Sequence, residues 1–137
     1  RLVAKHKATL VGGVPTAVGS VLQVPVGDHD ISSLRAGLTG AALLPPAIGD
    51  RFREVTGRNL YEILGMTEAS GLVSIDPLQG PGGIGSVGWP LPYTRVDILR
   101  LNPDGSLGGI CGVDEIGVIA IHCWPVQRPD HSQRTQH

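Results

Sequence analysis

Apolar residues in this chain come in short runs, each closed by glycine or proline, rather than in one long amphipathic repeat. Residues 1–7 read as the end of a helix, and Thr9-Leu10-Val11-Gly12-Gly13-Val14 then predicts a buried strand. Pro15 opens a helix to about Gln23, because proline is tolerated at a first helical position. Asp28 to Ser33 is polar and loop-like, and Leu34 to Thr39 predicts a strand running into the small residues Gly40-Ala41-Ala42. The clearest helix is 46–56: paired prolines precede it, Ile48, Phe52 and Val55 share one face, and Gly57 stands where a C′ glycine belongs. Asn59 to Leu64 predicts a further strand, ending at Gly65.

Strand, helix, strand, helix, strand is the order of an α/β layer with a largely parallel sheet. Residues 69–92 change character: glycine and proline dominate, periodicity fades, and a boundary is expected there. Beyond it, Val96, Ile98 and Leu101 predict a strand, Asn102-Pro103-Asp104-Gly105 a turn, and Ile116 to His122 a second strand. The expected organisation is therefore a partial α/β unit over 1–75, a Gly/Pro-rich connection over 76–92, a partial antiparallel β unit over 93–122 and a non-native or disordered tail over 123–137.

Composition narrows the function classes. Of 137 residues, 41% are hydrophobic and 17% charged, which argues against disorder throughout. Net charge is −1 with both signs mixed and no basic face is visible in the sequence, so nucleic-acid binding is not expected. No apolar stretch reaches the roughly 20 residues of a membrane span, and the start of the chain has no signal-peptide apolar region. Two cysteines, Cys111 and Cys123, make no disulfide framework, so a reducing cytoplasm is expected. The chain does not begin with Met, which suggests a piece of something longer.

The chemistry is concentrated in Leu64-Gly65-Met66-Thr67-Glu68, at the end of the predicted strand. On its own a Thr-Glu pair there suits a helix cap with a first-turn acid. The segment resembles the Tyr-Gly-x-Thr-Glu motif of the AMP-forming acyl-CoA synthetases and the wider adenylate-forming superfamily. Other segments resemble family landmarks in the same order: Val14-Pro15-Thr16, Gly40-Ala41-Ala42-Leu43-Leu44-Pro45, Gly85-Ser86-Val87-Gly88-Trp89-Pro90 and Glu115-Ile116-Gly117-Val118-Ile119-Ala120-Ile121. Asp114 stands where the family has a glycine.

The resemblance, over residues 8–122, implies part of the large domain of such an enzyme: a parallel-type sheet with flanking helices, then the start of an antiparallel, barrel-like β subdomain. It implies ATP, Mg²⁺ and coenzyme A as partners of a carboxylic acid, fatty or aryl. Thr67 would donate to the α-phosphate and Glu68 would hold Mg²⁺, a hard cation that prefers oxygen. Gly40, Ala41 and Ala42 would wall the adenine, with Leu64 in place of the family's stacking tyrosine. Val14 and Gly65 would lie near the acyl group.

The resemblance also implies parts that these residues do not carry: an upstream phosphate loop with its lysine, and a downstream ribose-binding aspartate, hinge and catalytic lysine. The chain is thus expected to be a fragment, inactive alone. The alternatives are a truncated or frameshifted product without catalysis, and a piece of a peptide-synthetase adenylation domain. After His122, Cys123-Trp124-Pro125-Val126 leaves the family pattern. In a frame shifted by one base, TGG before any proline codon reads GGC, which restores a glycine; a frameshift near Cys123 is therefore expected.

Two further patterns fail on context. Gly80-Pro81-Gly82-Gly83-Ile84-Gly85 fits a dinucleotide-binding spacing, with Asp104 as its acid, but Pro90 and Pro92 block a helix at the required place. Cys111, Cys123, His131 and His137 could be zinc ligands in order, yet eleven residues separate the cysteines where zinc modules place two to four. No zinc is expected, and His6, His29 and His122 read as surface or strand-end residues.

Overall fold

The structure, a computed structural model, describes residues 1–78 and 85–123, the last by its backbone alone. Helix α1 (Leu2–His6) leads to strand β1 (Leu10–Gly13), helix α2 (Pro15–Val21), strand β2 (Ala36–Gly40), helix α3 (Pro46–Thr56) and strand β3 (Leu60–Met66). Strands β1, β2 and β3 run parallel, with Leu10 beside Ala36 and Gly37 beside Leu60. That is the geometry expected when each strand is followed by a helix.

Helix α3 forms as its pattern dictates. Pro46 occupies the first turn, and Gly57 ends the helix in the left-handed region (φ 68) with its N–H on the Arg53 carbonyl at 2.8 Å. Its apolar face delivers Phe52 to a core with Leu22, Leu34, Leu44 and Leu60, while Val3, Val11, Val18, Ile48 and Val55 pack around it. Apart from Phe52 the cluster is aliphatic, in keeping with the scarcity of aromatics.

After a 3₁₀ turn at Thr67–Ala69, strand β4 (Gly71–Ile75) returns antiparallel to β3, and β5 (Trp89–Pro90) pairs with β4, so the first sheet has the order β1-β2-β3-β4-β5. The second sheet is antiparallel, in the order β7-β6-β8, built from β6 (Thr94–Leu101), β7 (Leu107–Ile110) and β8 (Val118–Cys123).

Most boundaries fall within two residues of expectation: α2 ends at Val21 rather than Gln23, β2 starts at Ala36 and β8 at Val118. The segment 69–92 differs more. It carries two strands of the first sheet, and both are antiparallel to their neighbours. In β4 both Val73 and Ser74 are buried, so the sheet is covered on both faces there and no alternation marks the strand. β5 is two residues long, too short for any pattern. β7 was also unread, because two of its four residues are glycine. Residues 124–137, including the departure after Cys123 and the candidate ligands His131 and His137, lie outside the described residues, as does Gly80 to Ile84.

Candidate functional site

The three parallel strands end together, β1 at Gly13, β2 at Gly40 and β3 at Met66. In open α/β sheets the crevice at the carboxyl ends of strands is where ligands bind. An open cleft of about 670 Å³ lies here. Gly12, Gly13 and Val14 line it from the end of β1, residues 38–41 from β2, Ile63, Gly65, Met66 and Thr67 from β3, and Gly71 and Leu72 from β4.

Two glycines are required by close backbone approach. A Cβ on Gly40 would meet the Ile63 carbonyl oxygen at 2.7 Å, and one on Gly65 would meet the Gly71 carbonyl oxygen at 2.8 Å. Between them the chain turns sharply: Ala41 sits in the left-handed region at φ 66, which a non-glycine residue adopts only under constraint. The small residues thus bring main-chain atoms, rather than side chains, to the cleft wall.

The motif turn is built by β3 running on through Met66 before the chain tightens into 3₁₀ geometry. Ser70 closes the turn in the left-handed region, its N–H donating to the Thr67 carbonyl at 3.0 Å. Met66, not Thr67, occupies the cap position, so the Thr67 hydroxyl is not serving as a helix cap. Thr67 and Glu68 are both exposed, and β8 of the second sheet touches this turn.

Of the residues singled out from the sequence, Val14, Gly40, Ala41, Gly65 and Thr67 meet in the one cleft. Ala42, Leu64 and Glu68 lie outside its lining. Leu64 is half-buried opposite Ser74, on the strand face that alternates away from Ile63. Glu68 follows Thr67 on the exposed turn. Among the described residues no three acidic, histidine or cysteine side chains gather as a metal cage. One exposed carboxylate beside an open cleft does fit Mg²⁺, which is commonly held by one or two carboxylates together with substrate phosphates.

Sequence reasoning missed Glu62, which is 5% exposed and accepts the Leu44 N–H at 3.1 Å. An acid inside the apolar run Leu60-Tyr61-Glu62-Ile63-Leu64 was the available signal. It also missed a second, apolar cavity of about 490 Å³ on the helix side of the sheet, between α2, Leu34 and Val55. That cavity does not reach the Thr67 turn.

The family model for the AMP-binding enzyme matches residues 1–122. The chain belongs to the AMP-binding enzyme family. Marinolic acid–CoA ligase of Pseudoalteromonas sp. (strain SANK 73390) is 32% identical over 133 residues, which is 97% of this chain and 20% of that protein. The long-chain-fatty-acid–CoA ligase of Bacillus subtilis (strain 168) is 38% identical over 99 residues, 72% of this chain and 18% of that protein. A solved long-chain-fatty-acid-CoA ligase from Archaeoglobus fulgidus superposes with a TM-score of 0.77 at 22% identity, over 98% of this chain and 29% of that one, a likeness of fold.

The chain therefore spans about a fifth of the length of these curated CoA ligases. The fold is that of part of the large domain of adenylate-forming enzymes, a mixed α/β sheet followed by an antiparallel one. Among the described residues of this AMP-binding family member, no helix is long and apolar enough to cross a membrane.

Proposed function

We propose that this chain supplies part of the adenylate site of an AMP-forming acyl-CoA synthetase acting in the cytoplasm on a fatty or aryl acid. The observation that carries the reading is the convergence of Thr67, Gly40, Ala41 and Val14 on one cleft at the strand ends. They come from three strand ends that lie far apart in sequence, at Val14, at Gly40 and Ala41, and at Thr67. In the proposed reaction a carboxylate oxygen attacks the α-phosphorus of ATP, pyrophosphate leaves, and the acyl-adenylate then passes its acyl group to the thiol of coenzyme A, releasing AMP.

The chain's own contribution is binding and orientation. The Thr67 hydroxyl donates to an α-phosphate oxygen, favouring the charge that builds there. The backbone of Gly40 and Ala41, unshielded by side chains, lets a flat ring lie against it. Val14, 43% exposed, offers an apolar surface at the cleft mouth for the acid. Glu68 would hold Mg²⁺, which when bound screens the phosphate charge.

By itself the chain is proposed to bind nucleotide weakly and to turn nothing over. Acid-dependent ATP–pyrophosphate exchange tests this, using the purified chain, Mg²⁺ and a panel of short, medium, long-chain and aryl acids, beside a direct ATP-binding measurement. The expected result is ATP binding without exchange. Exchange with any acid class would overturn the claim of inactivity, and no ATP binding would overturn the assignment of the cleft.

A further inference from the structure

Glu62 is a buried carboxylate that the proposed reaction does not use. It lies inside β3, 5% exposed, and among the described residues it has no ion-pair partner. A buried charge without a cation is expensive unless hydrogen bonds replace its water. Both oxygens are so used: Oε1 accepts the N–H of Leu44 at 3.1 Å, and Oε2 accepts the N–H of Gly85 at 2.6 Å. Bonds from backbone N–H to an ionised carboxylate are the strong kind.

The two donors belong to different loops. Leu44, 1% exposed, anchors the far end of the loop that leaves β2 through Gly40, Ala41 and Ala42. Gly85 lies in the turn that leads to β5 and then to the second sheet. A second buried acid grips the same turn: Asp76, 6% exposed, accepts the Ser86 hydroxyl at 3.3 Å, and Ser86 Oγ accepts the Gly88 N–H at 3.1 Å. The Asp76 N–H in turn donates to the Glu62 main-chain carbonyl at 3.4 Å.

We propose that Glu62 is a positioning residue: its carboxylate fixes the wall loop in the shape that faces the cleft and locks that loop to the Gly85–Gly88 turn, so that nucleotide affinity and the seating of the turn are coupled. The proposal rests on the reading of the cleft as a nucleotide site. Ala41 at φ 66 is a conformation the loop would relax if Leu44 were released, and the backbone offered to adenine would move with it.

The test is amide hydrogen exchange by NMR on the whole chain, with and without Mg-ATP. In the wild-type chain saturating Mg-ATP slows exchange at Leu44 and also at Gly85, although neither lines the cleft. Glu62→Gln keeps the side-chain volume and one acceptor oxygen but turns an NH₂ toward the other donor. Exchange at Leu44, Gly85 or both then rises roughly tenfold, the scale of one hydrogen bond to a charged acceptor, and the ATP dissociation constant rises severalfold.

ATP bound by the wild-type chain with no slowing at Gly85 overturns the coupling. Faster exchange in Glu62→Gln with unchanged ATP affinity overturns the positioning role and leaves a clasp that only stabilises. No ATP binding by the wild-type chain overturns the reading of the cleft, and the positioning role falls with it; the wild-type arm needs no variant to fold.

Discussion

Gly65 lies so close to Gly71 that a Cβ built on it would sit 2.8 Å from the Gly71 carbonyl oxygen. The nearest atoms it would meet are all main chain, with no flexible side chain to yield. Gly65→Ala must therefore spread β3 from β4 at the irregular register between Leu64 and Gly65, next to Thr67. The expected loss of stability is about 1–3 kcal/mol, the usual range for overpacking. Gly109→Ala, where nothing lies within 4 Å of the new Cβ, is the control; it should change stability by less than about 0.5 kcal/mol. Urea denaturation followed by circular dichroism separates the two.

Phe52 is the one phenylalanine of the chain and, at 3% exposed, the keystone between α3 and the first sheet. Phe52→Ala removes most of the apolar volume that α3 contributes to the core. The cost should be about 3–5 kcal/mol, enough in a domain of this size to lower the melting temperature sharply or prevent folding. A melting temperature within a few degrees of wild type would mean that α3 does not pack as described.

Charge pairs outside the cleft give a prediction in pH. The Lys7 ammonium, donating to Asp30 at 2.7 Å with help from Ser32, holds the Asp30 carboxyl well below its ordinary 3.8. Glu115 is lowered by the Gly112 N–H and then by Arg100. A carboxyl with a depressed folded pKa contributes stability that is present above its unfolded pKa and is lost as pH falls through the folded one. Both pairs are solvent-exposed, so the effect on stability is small, but the titration itself is visible. Carboxyl NMR shifts should show Asp30 still ionised at pH 3, where an unperturbed aspartate would be mostly protonated. A midpoint near the ordinary value would contradict the Lys7 contact.

Much of the fold was legible because the helices carry their own punctuation. Pro15 and Pro46 start α2 and α3, and Gly57 stops the latter. What could not be read was pairing: β4 and β5 join the first sheet antiparallel through contacts that leave no periodic trace in Gly71–Ile75 or in two residues of β5. Candidate site residues were found only through the resemblance of short segments, since nothing local marks Val14 and Thr67 as lining one cleft. The ends of the strands bring both to it. Glu62 was passed over for a related reason: its role lies in two loops 18 and 23 residues away, and only the structure shows both amides turned toward it.

Thr67 is exposed and caps nothing, so its hydroxyl is dispensable for the fold. Thr67→Ala should leave stability within about 0.5 kcal/mol of wild type. If the hydroxyl donates to a charged phosphate oxygen, the same change should weaken nucleotide binding by about 1.5–3 kcal/mol, roughly tenfold or more. Denaturation and ATP titration on one preparation read both.

The most direct test of the central claim is an NMR titration of the purified chain with a non-hydrolysable acyl-adenylate analogue. The account predicts chemical-shift changes concentrated at Val14, Gly40, Ala41, Gly65 and Thr67, with weaker binding in Thr67→Ala. Saturable binding that shifts the α2 and Leu34 side of the sheet instead, or the absence of any shift at millimolar analogue, would contradict it.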